Sequence, residues 1–121
     1  MKGKIIVSRF WTRFFSFGKA QAITIFPFIF LKYNSDKVNR VLLNHERIHI
    51  LQALELLIIP FYVWYLFEFG IRFIKYRNFT FAYLNISFER EAYANEENFE
   101  YLKSRKVFSF IKYVTRKGMV H

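Results

Sequence analysis

The stretch "NHERIHILQ" (residues 44–52) sets two histidines four positions apart, with a glutamate directly after the first. On a helix of about 3.6 residues per turn, His45 and His49 leave one face a turn apart. Both imidazoles can then reach a single ion at about 2.0–2.1 Å. Glu46 is turned by about 100° from His45, so it does not compete for the ion and can hold a water that the ion polarises. Attack of that water on a carbonyl needs a base to take its proton, and Glu46 is the catalytic residue the pattern supplies. The chemistry implied is hydrolysis assisted by a metal, with zinc (Zn2+) as the cofactor. The plain alternative is a helix whose two histidines are solvated or satisfied in the core.

A third ligand decides between these readings. The chain has no cysteine, and its remaining histidine is His121, the last residue, so a carboxylate must serve. The segment "SFEREAYANEENFEYL" (87–102) offers one. On a helix Glu89, Ala92, Tyr93 and Glu96 share a face, while Glu91 points nearly the opposite way. Small Ala92 allows a close approach to the histidine helix. Glu89 is therefore the expected third ligand and Glu91 the alternative. Either acid, in a first helical turn, would also offset the helix dipole with no metal present. "NEENFE" (95–100) reads as a solvated face. Gln52, three after His49, is placed to touch either that histidine or a substrate, although such residues more often pack or are solvated. Tyr93 and Tyr83 are candidates for stabilising an oxyanion, but with eight tyrosines any one choice is weak.

These residues have to be positioned by the elements around them. Residues 23–33 are β-branched and aromatic with Pro27 inside, which fits an edge or bulged strand. "NSD" (34–36) supplies capping chemistry for a helix over 37–59, which stops or kinks at Pro60. A second helix fits 61–76, and 77–85 reads as a connection that includes a short extended piece. A third helix fits 87–105, capped by Ser87. Residues 1–22 form a basic, aromatic N-terminal segment, interrupted by Arg9 and Arg13 and so a poor signal peptide, and 106–121 form a basic tail. The whole reads as a single domain over 1–121, mainly α with a small β component (α+β). Geometry adds one requirement. If the first helix ran straight on to Tyr76, its end would lie about 40 Å from His49, and Glu89 could barely return. A metal site therefore needs a sharp reversal near Pro60.

"HERIH" together with "EREAY" resembles the zincin metallopeptidases in which a downstream E-x-x-A-[D/N] helix carries the third zinc ligand. The resemblance assigns that role to Glu89. Tyr93 stands where the family often has an aspartate that orients a histidine. The longer run "TIFPFIF…NHERIHILQ…YRN…ISFEREAYANE" is similar to small bacterial proteins of metallopeptidase-like type, over roughly residues 20–115. It implies a minimal zincin-like core of edge strand, histidine helix and glutamate helix, with a peptide or protein substrate lying along residues 23–31.

Composition bears on partners. The chain is 54% hydrophobic and 22% aromatic, with 17 Phe, more than a soluble domain of 121 residues can bury. The formal charge is +10, with basic ends around a glutamate-bearing middle. This fits a membrane surface or interior, on the side of anionic cytoplasmic lipids. The uncharged run "LLIIPFYVWYLF" (56–67) reaches about 18 Å as a helix, short of a bilayer core of about 30 Å. A re-entrant, interfacial or core helix fits it better than a regular span. Trp11 and Trp64 read as core or interface anchors. Nucleic acid is disfavoured, because no recognition motif accompanies the charge and acids fill the middle. No oligomeric state can be read.

Overall fold

The apolar run before the histidine helix folds as two strands rather than one. The computed structural model describes residues 3–16 and 20–114. Its first elements are β1 (Lys4–Val7), α1 (Arg9–Ser16), β2 (Ala22–Ile25) and β3 (Phe28–Leu31). The sheet order is β1-β3-β2, with β1 parallel and β2 antiparallel to β3. Ile25 lies opposite Phe28, and the Phe26–Pro27 peptide in the turn between them is cis. Pro27, which has no N–H to give, thus sits in a hairpin turn and not in a ladder. The single edge strand expected over 23–33 is corrected accordingly: β3 is central and β2 is an edge. The basic N-terminal segment contributes β1 and α1, and its residues 1, 2 and 17–19 lie outside the described residues.

The histidine helix, α2 (Arg40–Glu55), is capped by Asn39, whose side chain accepts the Leu42 N–H at 3.1 Å. Asp36 does not start it. That residue lies in a preceding 3-10 turn, Asn34–Val38, and accepts from Gln21 at 2.6 Å. One face of α2 packs on the sheet, where Ile50 and Leu43 meet Ala22, Ile29 and Leu31. Its other face receives α5 (Ser87–Asn95), and buried residues occur all around it.

The reversal that the site requires is present. Between α2 and α3 (Ile59–Tyr76) the chain bends by 113°. The Ile58 N–H bonds Ala53 O at 2.7 Å and the Leu57 N–H bonds Leu54 O at 3.2 Å, the paired bonds of a Schellman end. The position that usually carries glycine is Leu57, at φ 60°, and Ile58 follows at φ 72°. A left-handed conformation costs an L-residue about 1–2 kcal/mol, so this turn is held by what it joins rather than by local preference. Pro60 comes after the bend, in the first turn of α3, where its missing N–H would be unpaired anyway.

Beyond α3 the expected connection is a short helix, α4 (Phe79–Leu84), and the helix expected over 87–105 is two: α5, and α6 (Tyr101–Ser104). The tail forms a 3-10 turn, Ser109–Tyr113, and residues 115–121 lie outside the described residues. Phe88 anchors the second core cluster. It is fully buried, with the Phe61 and Phe110 rings each 4.6 Å away and the Tyr65 ring stacked at 6.1 Å.

Leu57 is 80% exposed, so its side chain contributes little burial. Leu57→Gly removes the left-handed cost at the price of some unfolded-chain entropy, and should raise stability by about 0.5–1 kcal/mol in urea denaturation. A loss of stability would mean that the Leu57 side chain itself holds the reversal.

Candidate metal centre

α2 directs His45 and His49 inward, and α5 brings Glu89 against them; all three, with Glu46, are only 3–5% exposed. The His45 and His49 Nε2 atoms are 3.2 Å apart. Glu89 Oε1 lies 3.0 Å from the first and 3.1 Å from the second. A tetrahedral ion with bonds of 2.0–2.1 Å has ligand atoms about 3.3 Å apart, so this triangle has nearly the right edge. His45, His49 and Glu89 are a buried group able to hold a metal ion.

The outer ring of contacts fixes which atoms face the centre. His49 Nδ1 donates to Gln52 Oε1 at 2.7 Å, and the Gln52 amide nitrogen donates to Phe88 O at 3.1 Å and Glu91 Oε1 at 2.9 Å. His45 Nδ1 donates to Glu96 Oε1 at 2.8 Å. With both Nδ1 protons engaged, both Nε2 lone pairs turn toward the Glu89 oxygen. Three electron-pair donors then converge on one point, an arrangement that calls for a cation or protons. Charge balance says the same. Burial works against a charged His45, but its hydrogen bonds to Glu89 and Glu96 outweigh that and push the ring up to about 10. Burial likewise opposes a charged His49, and Glu89 raises it nonetheless. Burial would raise Glu89, yet the two imidazoles hold its carboxyl well below the usual range. Without an ion the pocket keeps protons in its place.

Several residues hold Glu89 in position. Tyr65, on α3, donates to Glu89 Oε2 at 2.6 Å, which leaves Oε1 for the histidines. Burial first, and then the Glu89 charge, push the Tyr65 hydroxyl well above its ordinary value, so it stays a donor. Glu68, also on α3, accepts from the Ser87 backbone N–H and, at 2.6 Å, from the Ser87 hydroxyl. The first turn of α5 is thus capped by Glu68 from another helix and not by Ser87 itself. Glu46 Oε1 accepts from Thr24 Oγ1 of β2 at 2.8 Å, which ties the expected base to the sheet edge.

The alternative ligand Glu91 is not in the cluster. It points away from the histidines, as its helical offset predicts, and joins Gln52, Tyr101 (2.6 Å) and Arg105. Arg105 also pairs with Glu55 at 2.7 Å. Burial pushes Glu91 up, but Arg105, Tyr101 and Gln52 together hold its carboxyl below the usual range. Glu96 corrects the reading of 95–100 as solvated. Asn44 holds it there by donating to the carbonyls of Asn95, Glu96 and Asn98 at 2.8–3.3 Å. Tyr93 lies edge-on to the His45 ring at 4.4 Å, in place of the aspartate of the E-x-x-A-[D/N] pattern. Burial pushes its hydroxyl up to about 12. Tyr83 lies beside Tyr93, ring centroids 6.4 Å apart.

The edge strand is not open. The Tyr62 hydroxyl of α3 accepts the Phe26 N–H at 2.7 Å and lies 3.5 Å from Thr24 O. It therefore covers the C-terminal end of the β2 edge, at Thr24 O and at the Phe26 N–H of the turn that follows, where an added strand would bond. Comparisons with protein-family models, with curated proteins and with solved structures find no match to this chain.

The Arg105 side chain is 2% exposed and that of Glu91 0%, so removing one partner strands a buried charge. Arg105→Met should destabilise by about 3–5 kcal/mol in chemical denaturation, and adding Glu91→Gln to it should restore much of the loss. Equal losses in the single and double variants would show that the pair is not coupled.

Proposed function

We propose that the protein is a zinc-dependent hydrolase of the metallopeptidase type, with His45, His49 and Glu89 as zinc ligands and Glu46 as general base. The observation that carries this reading is the triangle of Nε2, Nε2 and Oε1, with both Nδ1 positions already spent on Gln52 and Glu96. Two imidazoles and one carboxylate form a ligand set typical of catalytic zinc, which keeps a further position open. Bound there, zinc would supply Lewis acidity to a water and to a substrate carbonyl. Glu46, held by Thr24, takes the proton from the attacking water and passes it to the leaving amine. Glu89 stays fixed by Tyr65 through these transfers. The resemblance of "HERIH" and "EREA" to zincins points the same way.

The substrate on this reading is a peptide that adds to the β2 edge beside Glu46. The Tyr62 hydroxyl occupies those bonding positions, so substrate binding displaces it. A second reading keeps the metal and drops turnover. The 3–5% exposure of the four site residues favours it, because a buried centre serves equally well as a scaffold for binding a partner.

Metal analysis of purified protein tests the first step. Wild type should carry one equivalent of zinc, and His45→Ala and Glu89→Ala little. Equal metal in all three ends the proposal. Glu46→Gln then separates the readings in a peptide-library cleavage assay. An enzyme retains zinc and loses turnover by about 10²-fold or more, whereas a scaffold shows no cleavage to lose.

A further inference from the structure

The outward face of α3 is apolar from end to end. Ile59, Val63, Leu66, Phe67, Ile71 and Ile74 are each at least 50% exposed. Their spacing keeps them along one broad stripe of the helix, about 22 Å long. The only acid on α3, Glu68, is buried, and its oxygens accept from Ser87 and from Trp64 at 3.1 Å. An open trough of about 700 Å³ runs along this face between Ile59, Val63, Phe67, Ile71 and Val114, and the carboxylate in its lining is again the spent Glu68. Exposed cations, Lys75 and Arg77, stand at the C-terminal end.

We infer that this face of α3 is a docking surface for an anionic lipid bilayer, with the helix lying along the headgroup boundary. Charge selects this occupant. Of nine acidic residues only Glu97 and Glu100 are exposed, whereas ten of the fifteen described lysines and arginines are, so most of the negative charge is spent inside while most of the positive charge faces outward. The surface is therefore more uniformly positive than its sequence suggests, and it matches anionic headgroups. A net charge of +10 opposes a second copy of the chain on the same face. The trough offers no free polar group to a peptide backbone, whereas acyl chains need none. Among the described residues no single helix is long and apolar enough to cross a bilayer, and α2 and α3 together are bent by 113°. An interfacial position uses the apolar stripe without requiring a span. On α1, Phe10, Trp11 and Phe14 are exposed alongside Arg9 and Arg13, a second surface of the same aromatic and basic kind.

Flotation of the purified full chain with vesicles of phosphatidylcholine, with and without phosphatidylglycerol, tests the inference. Wild type should float with the anionic vesicles and far less with the neutral ones. Phe67→Glu/Ile74→Glu alters two side chains that are 70% and 75% exposed, and should weaken partition roughly tenfold or more with circular dichroism and zinc content unchanged. Binding equal to wild type in that variant overturns the inference, as does binding lost only in Phe10→Ser/Phe14→Ser. A wild-type dimer that ignores vesicles and dissociates in the α3 variant would assign the face to a second copy instead. Should the double variant misfold, Trp64 emission in a Trp11→Phe chain decides: brominated lipid should quench it, and undiminished emission in vesicle-bound protein overturns the proposal. Zinc content is measured separately, so failure here leaves the metal reading standing, and the reverse also holds.

Discussion

A carboxylate that is 3% exposed must have its charge balanced, and the molecule is arranged around doing that for Glu89. Three side chains from two helices surround it: the imidazoles of His45 and His49 from α2, which share with it a cation or protons, and the Tyr65 hydroxyl from α3, which donates to it. Bringing them together requires α3 to fold back over α2 within four residues, Leu56 to Ile59. It also requires α5 to begin at a fixed point, which Glu68 sets by accepting from Ser87. The strained Leu57–Ile58 turn lies on this path. Its cost is offset by the aromatic cluster around Phe88, one residue before Glu89, so packing and site geometry are secured by the same contacts.

Around this centre lies a second set of buried charges with a different role. Gln52 joins His49 to Glu91, and Arg105 joins Glu91 to Glu55, so the His49 ring is linked through three side chains to the segment after α6. Asn44 and Glu96 do the equivalent for His45. Buried ion pairs of this kind contribute little net stability compared with well-packed apolar groups. What they provide is a single arrangement: each imidazole has one tautomer and one orientation that satisfies its neighbours. A chain of 121 residues that commits five of nine acids to its interior is built for geometric definition at one place.

How much of this could be read in the sequence follows from the range of each signal. The register of His45 and His49 and the inward choice of Glu89 over Glu91 are helical periodicity, which a single segment carries. The reversal was legible because chain length and the ligand distance left no alternative. Its location was less so, since Leu57 and Ile58 hold left-handed conformations without the glycine that usually announces them. Pro60 reads equally well as the end of one helix or the start of the next. The run through Pro27 is apolar throughout, so nothing local divides it into two strands, and β1 acquires its identity only by pairing with β3 across the chain. Glu96 shares the helical face of Glu89, yet it lay in a stretch so acidic that solvation was the simpler reading. Its role depends on Asn44, fifty-two positions earlier.

The aromatic excess also resolves into structure. Tyr62, Tyr65 and Glu68 follow one another at intervals of three along α3, and each reaches a different element: the β2 edge, Glu89 and the start of α5. Their hydroxyls and carboxylate fix the rotation of the helix about its axis. Turning it by one residue, about 100°, would bring Glu68 out and carry the neighbouring apolar side chains in, leaving the Ser87 N–H and one Glu89 oxygen without their donor or acceptor. Each such loss of a buried hydrogen bond costs about 1–3 kcal/mol, a penalty that the observed rotation avoids. The exposed stripe is therefore set by the polar demands of the inner face. Leu66, Phe67 and Ile74 point outward because the residues between them are needed inside.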